Sequence, residues 1–564
     1  MNKTLVAGML LAIPSAMMGQ TAVDAYSISQ NDLRGSARFM SMGGAFTALG
    51  GDISTLNQNP GGIGVYRSSD ISVTLDIDMM SSKATAGSFS NTMNKTYVNC
   101  NNFGYVGTVN LGSNSVMPFF NWGASYSRVA SFDRRYKGSL GSLGTSYTNL
   151  VADFTTANGT TQQEMLPSDT YNPYQQSWAP WSSILMYCGY GINPTAPGAN
   201  SYNGLYNYGT SSASGLFDVE EKGHVDEYSI NFGGNIQDVV FWGIGFGITD
   251  IEFKSSSYYQ ENIDGANVPM VDQSGEYISQ SGPDNTADFG LSNYKHIWGN
   301  GFNFKAGVII KPINEFRLGI AVHTPTYYSL SYEGIANMGF SYNSPLYNQD
   351  DVKEFGNGST VTDEGYYDSF DWKCRTPWRL MVGAAGVIGG RAIISADYEY
   401  RGTQSMRVQD QYGNEWPDVT EDIKTYYKAT NIMRLGAEYR LTPGLSIRAG
   451  YVYESSPVTT AAMDGYVANG SNVDATYIYT SGPDDTETQP SFTLDKSAQY
   501  ITCGIGYRYK NFYADAAYVH RHRESKYQAF TNYNTNSNGE FITAPSATIS
   551  DNNNSIVLTV GLRF

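Results

Sequence analysis

Beyond its first residues the sequence has no long hydrophobic run: no stretch of about 18 apolar residues follows the N-terminus, which excludes transmembrane helices. Charged residues make up only 15% of the 564 and lean acidic, with a formal net charge of −17, so a nucleic-acid partner would be repelled. Cysteine is scarce. Cys100, Cys188, Cys374 and Cys503 are widely scattered, show no metal-ligand spacing, and Cys503 falls on an apolar strand face, leaving an odd number elsewhere; a disulfide framework is not expected. Of the five histidines, His323 has no Ser and Asp pattern to complete a hydrolase constellation. His520-x-His522 puts two rings on one strand face, a spacing open to a metal or a haem iron, although paired histidines at a strand end are more often interfacial residues. With no phosphate loop and no paired-carboxylate centre, the expectation is no enzyme, no metal and no cofactor.

Aromatics and glycine are abundant instead: 44 Tyr, 25 Phe and 60 Gly. Mean hydropathy is nevertheless −0.34, so the chain is aromatic without being hydrophobic on average. A spanning β-strand needs only about 10 alternating residues, so a membrane barrel can hide in a polar average. The last ten residues, SIVLTVGLRF, show the pattern: Ile556, Leu558, Val560, Leu562 and Phe564 are apolar at every second position. The same alternation recurs in Ile71 to Met79, Phe103 to Leu111, Phe120 to Val129, Tyr228 to Ile236, Val240 to Phe253, Trp298 to Ile310 and Phe316 to Tyr328. It continues in Trp378 to Val387, Ala392 to Tyr400, Met433 to Tyr439, Leu445 to Tyr453, Ile501 to Tyr509 and Phe512 to Tyr518, fourteen strands with the last.

The connections alternate strictly. Short turns at Ser113 to Pro118, Gln237 to Val239, Lys311 to Glu315, Ile388 to Arg391, Thr442 to Gly444 and Lys510-Asn511 are separated by long polar stretches near residues 80–101, 130–224, 260–297, 333–375, 402–430, 456–497 and 524–554. That asymmetry is expected of periplasmic turns facing extracellular loops, with both termini on the periplasmic side, and not of a series of secreted sandwich domains. The fold class read from the sequence is therefore an all-β, fourteen-stranded antiparallel transmembrane barrel over residues 70–564, in the Gram-negative outer membrane. Trp122, Trp242, Trp298 and Trp378 sit near strand ends on the apolar face as girdle residues. The opposite parity carries Asp397, Glu399, Arg434, Glu438, Arg440, Arg448, Arg508, Asp515 and Arg563, charges suited to a lumen and not to hydrocarbon.

Ahead of the barrel, Lys3 and the apolar segment Leu5 to Ile13, followed by small and polar residues, have the layout of a secretory signal peptide over residues 1–20. Residues 21–69 are not strand-like. Met40, Met42, Ala45, Phe46 and Leu49 share one face of a short helix interrupted by Gly43/Gly44 and Gly50/Gly51, and Asn59-Pro60-Gly61 forces a turn before the first strand. The inward charges near the short turns are candidates to seat this segment through Asp24, Asp32 or Asp52.

These residues resemble the N-terminal hatch of the FadL/TodX family of outer-membrane transporters, whose hatch carries an Asn-Pro-Ala turn where this chain has Gly61. Leu318 to Tyr328, Asp397 to Arg401, Leu435 to Tyr439 and Arg448 to Pro457 resemble that family's strand signatures, and the terminal aromatic Phe564 resembles the end that barrel-assembly machinery reads. The resemblance implies a hatch inside the lumen and passive uptake of hydrophobic compounds such as long-chain fatty acids or aromatic hydrocarbons. It also implies outer-membrane lipids and the assembly machinery as partners, and an exit near a kinked third strand, where Gly123 would permit a bend. Candidate ligand-binding residues are Met42, Phe46 and Leu49 in the hatch, and Trp178, Trp181 and Leu185, which share helical spacing in the longest loop and would offer an outer capture groove. The alternatives are a non-specific porin, and a barrel serving as an adhesin or as a docking component of a secretion apparatus.

Overall fold

The computed structural model describes residues 22–112, 114–271, 277–348, 355, 357–464, 466–469, 472–475, 488–534 and 541–564. The expected signal peptide lies outside the described residues. The barrel strands are Asp70–Ala86, Phe89–Asn110, Phe119–Ser131, Ser212–Ile236, Val240–Asp264, Thr286–Ile313, Phe316–His323, Arg379–Ile388, Ala392–Arg401, Thr430–Arg440, Leu445–Glu454, Phe492–Tyr509, Phe512–Gln528 and Ser546–Arg563. Each pairs antiparallel with the next. The last returns to the first, with Asp70 opposite Arg563 and Ile77 opposite Ile556. Ser69 and Phe564 exchange both backbone hydrogen bonds at 2.9 and 3.0 Å, so closure leaves no free edge at the seam.

All fourteen expected strands are present, and their bounds coincide at or near the short turns, as at Ile236, Val240, Phe316, Ala392, Leu445, Tyr509 and Phe512. At the other end several run much further than expected. The stretch 80–101 is not a loop but the outward continuation of the first hairpin, ending at a turn around Gly87. The physical reason is solvent: beyond the lipid the outward face meets water and no longer has to be apolar, so the hydrophobic alternation that marks a spanning strand fades while the backbone ladder continues.

The barrel exterior is a belt of apolar side chains. Leu75, Ile77, Phe246, Ile248, Ile320, Val322, Leu435, Ile501 and Leu558 are 38–63% exposed, an arrangement that lipid solvates and water does not. Trp122 and Trp378 are exposed on this face, and Trp242 and Trp298 are half-buried. No helix among the described residues is long and apolar enough to cross a membrane.

One expected strand is broken. The seventh stops at His323 and resumes as Tyr327–Asn343, and its neighbour is interrupted between Asp368–Arg375 and Arg379–Ile388. Pro325 and Pro377 lie at the two breaks and cannot donate to the ladder. Threonines close the gap: the Thr326 amide donates to the Thr376 hydroxyl at 2.8 Å, and the Thr376 amide to the Thr326 carbonyl at 3.1 Å.

Above the barrel the long connections pack into a core of their own. Helices Tyr147–Ala157 and Trp181–Cys188 lie against strand extensions, burying Tyr147, Trp181, Leu185, Phe217, Tyr259, Phe289 and Phe530 together.

Candidate functional site: the lumen and its N-terminal segment

The N-terminal segment packs against the inward faces of the strands, starting far up the barrel. Helix Ala22–Ile28 sits beside strand stretches well beyond the short turns: Asp24 pairs with Lys295 at 2.7 Å, and Tyr26 donates to Asp495 at 3.0 Å and stacks on Tyr427. The first described residues thus lie far up the lumen, whereas Phe564 lies at the short-turn mouth beside Ser69; the expected place of the N-terminus itself falls outside the described residues. From that helix the chain descends through ion pairs with the wall. Asp32 meets Arg521 at 3.2 Å, Arg34 meets Asp76 at 3.0 Å and Asp78 at 2.8 Å, and Arg38 meets Glu438 at 2.9 Å. Lower down, the Thr47 amide donates to Asp397 at 2.8 Å, the Gln58 carbonyl lies 2.8 Å from His323 Nε2, and Lys305 bonds both Asn57 and Glu227. The buried carboxylates of Asp76 and Asp78 are offset by the Arg34 guanidinium and by hydrogen bonds from Asn101 to Asp76 and from Asn553 and Ser555 to Asp78, while the second oxygen of Asp76 is buried without a partner.

The expected seating cluster is thus corrected in part. Asp24 and Asp32 do reach the wall, but through Lys295 and Arg521. Asp52 instead accepts from the Ser36 hydroxyl and the Ser54 amide within the segment. Sequence reading missed Arg34, Asp76, Asp78, Glu227 and Lys305; the pair Asp76/Asp78 on the inward parity of the first strand, beyond Ser72 and Thr74, was the available signal.

Glycine lets backbone meet backbone. Gly43, Gly44, Gly50 and Gly51 all have φ between 62° and 69°, the left-handed turns that fold the segment back on itself. On the wall, Gly243 and Gly307 lie against Asn59 to Gly61, and Gly436 and Gly450 against Met42 and Gly43, where any side chain would collide. A Cβ on Gly61 would lie 2.9 Å from the Gly307 carbonyl oxygen. At Asn59 the side-chain oxygen accepts from the Gly61 amide at 2.9 Å, the side-chain nitrogen donates to the Thr47 carbonyl at 2.6 Å, and Pro60 opens the short helix Pro60–Val65.

Met42, Phe46 and Leu49 come together in one buried cluster with Phe39 and Met40 of the segment and Val452, Tyr500, Val519 and Val557 of the wall. The helix expected to align them is only Ala37–Ser41; glycine turns, not helical periodicity, bring them together. Leu49 alone of the three lines a sizeable cavity. In the outer loop, helix Trp181–Cys188 includes Trp181 and Leu185 but not Trp178. The residue before a proline is pushed out of helical geometry, so Pro180 bars the helix from reaching back past Ala179, and Trp178 is left 72% exposed. Trp181 and Leu185 are 8% and 1% exposed, turned into the loop core; Trp181 donates to the Tyr174 carbonyl at 3.1 Å. They do not line an open groove.

The third strand does not break at Gly123; its register irregularity falls between Arg128 and Ala130. His520 and His522 each bond an asparagine on the adjacent strand, Asn554 and Asn552, at 2.9 Å. Among the described residues no group of three or more metal-ligating side chains converges.

A cavity of about 510 Å³ lies at the short-turn mouth beneath the N-terminal segment. Leu49 to Gly51 and Val65 to Ser68 form its roof, and Arg317, Arg440, Arg508, Val387 and Ile393 stand among its walls. Higher in the lumen the described cavities shrink to between 10 and 40 Å³.

No family model matches the chain, and no curated protein matches it. Solved structures do. A Pseudomonas aeruginosa FadL homologue is 12% identical at a TM-score of 0.49, with 95% of this chain and 99% of that one covered. The P. putida toluene transporter TodX is 14% identical at a TM-score of 0.44, covering 94% and 99%. The Ralstonia pickettii toluene transporter TbuX is 13% identical at 0.42, covering 94% and 99%. The chain is thus similar nearly end to end to a FadL homologue and to toluene transporters, while its closed fourteen-stranded barrel stands on its own strand register.

Proposed function

We propose that this protein is an outer-membrane channel for passive uptake of hydrophobic small molecules, long-chain fatty acids or aromatic hydrocarbons among them, in which residues 22–67 form a hatch that must shift for passage. The observation that carries this reading is the character of the interior. Two apolar clusters occupy the lumen above the inner mouth, one built on Ile251, Phe253, Leu330, Trp372 and Phe492 with the first helix, the other on Met42, Phe46 and Leu49. A water-filled pore would have a polar lining throughout. Leu49 links the second cluster to the inner cavity, which supports Met42, Phe46 and Leu49 as the surface a ligand meets when the hatch shifts.

Uptake is the test. Cells lacking their own long-chain fatty acid and toluene transporters, and displaying this chain in the outer membrane, should accumulate labelled oleate or toluene above the empty-vector control. Absence of both activities at confirmed surface levels, or a large steady conductance of the purified protein in planar bilayers, would sink the proposal.

A further inference from the structure

The inner-mouth cavity concentrates positive charge in a chain whose net charge is −17. Seven arginines line it, Arg38, Arg67, Arg317, Arg440, Arg448, Arg508 and Arg563, against two carboxylates, Glu438 and Asp515. Four of the seven are matched. Arg38 and Arg448 share Glu438 at 2.9 and 2.6 Å, Arg448 also holds Asp515 at 2.6 Å, Arg563 holds Asp70 at 2.8 Å, and Arg67 holds Asp238 at 2.8 Å. Arg317, Arg440 and Arg508 have no ion pair among the described residues. Arg317 donates one nitrogen to the Leu49 carbonyl at 2.8 Å, while its Nε is shielded from solvent without an acceptor.

Tyr66, 4% exposed, lines this cavity with its hydroxyl buried and unbonded. That hydroxyl is screened from the open cavity and the guanidinium over its ring, 5.9 Å from the centroid, is the matched Arg563, so the free donors are those of the unmatched arginines. Leu49, Val65, Val387 and Ile393 face the same space, so an alkyl chain has an apolar wall to lie on.

We propose that this cavity binds an oxyanion, carboxylate or phosphate, held by the unmatched arginines that line it, Arg440 and Arg508 at the strand ends and Arg317, and that its apolar wall favours an anion carrying an alkyl chain. The site goes beyond the transport reading and stands without it, because equilibrium binding needs no passage through the barrel. Planar guanidinium forks suit bidentate contact with carboxylate or phosphate oxygens. Arg440 and Arg508 are solvent-exposed side chains at the strand ends, so their replacement removes charge without emptying the interior.

Calorimetric titration of the full chain in a neutral detergent tests this, with sodium octanoate, 1-octanol and inorganic phosphate as probes. Octanoate should bind more tightly than octanol, and the double variant R440Q/R508Q should weaken octanoate by about tenfold or more, as expected for loss of charge-assisted hydrogen bonds. The control K424Q removes one positive charge from an exposed outer helix and should change nothing. Phosphate that competes with octanoate at equal affinity would identify a free oxyanion as the occupant, and octanoate tighter than phosphate would identify an amphiphile; both support the site. Octanoate binding that is absent, unchanged in R440Q/R508Q, or no tighter than octanol overturns it. Should R317Q fail to fold, judged by the heat-modifiable mobility of intact barrels, the strand-end pair still decides.

Discussion

Arg34 illustrates how single residues set the position of the N-terminal segment. Its side chain is 7% exposed and its two carboxylate partners, Asp76 and Asp78, are 0% and 5% exposed. Removing one member of a buried ion network leaves the others desolvated and uncompensated, a cost of about 3–5 kcal/mol. Arg34→Gln should therefore loosen the segment while leaving the barrel folded, read as faster proteolysis within residues 22–67 at unchanged heat-modifiable mobility. Gly307→Val acts by volume instead: its side chain would occupy the space of Asn59, so the same protease sensitivity is expected from an apolar substitution. Resistance equal to the wild type in both variants would show that these contacts do not hold the segment. At this scale the sequence was legible by residue type and not by partner. Met42, Phe46 and Leu49 could be chosen as buried because apolar side chains in a polar lumen must find one another. That Asp24 would meet Lys295, or that His323 would lie against the Gln58 carbonyl, depends on contacts between residues hundreds of positions apart.

Among the elements, the terminal strand follows its local pattern most directly. Ile556, Leu558, Val560, Leu562 and Phe564 are 42–59% exposed on the lipid face, while Val557 and Thr559 are buried inward, as period-two alternation requires. Phe564 is 59% exposed and bonds through its backbone to Ser69, so it fills no interior space. Deleting it should lower the amount of heat-modifiable barrel in the outer membrane several-fold without altering ligand affinity in the fraction that inserts; normal insertion of the truncated chain would contradict its assembly role. The outer-loop helix shows the opposite case. Helical spacing linked Trp178, Trp181 and Leu185, yet Pro180 interrupts the run, and tertiary packing turned the remaining two inward. The strand extensions beyond the membrane were illegible for a related reason: their outer face meets water instead of lipid and their inner face meets the loops, so no lipid-facing alternation marks a strand, and only cross-strand pairing defines it.

For the molecule as a whole, the question is what closes the pore. The segment over residues 22–67 meets the wall by backbone contact with glycines and by ion pairs and hydrogen bonds to Asp76, Asp78, Glu438 and Asp397, which makes it the barrier on the reading proposed above. A chain lacking these residues should still form a barrel and should give a larger, steadier single-channel conductance than the full protein; equal conductance would mean that the loops and not the hatch set the barrier.

The sequence by itself determined the class of structure: alternation against lipid specifies each spanning strand locally, the strict exchange of short and long connections specifies their order, and an even number of strands follows. Tertiary structure alone decided what fills the cylinder. Which carboxylate meets which arginine, which glycines admit the backbone of the N-terminal segment, and which of the inner-mouth arginines are left unmatched are results of closure. They arise when Ser546–Arg563 pairs with Asp70–Ala86 and brings inward-facing residues from distant parts of the chain around one lumen. Lipid acts on every strand separately and leaves its mark in local periodicity, whereas the lumen is a shared space whose contacts no local period encodes.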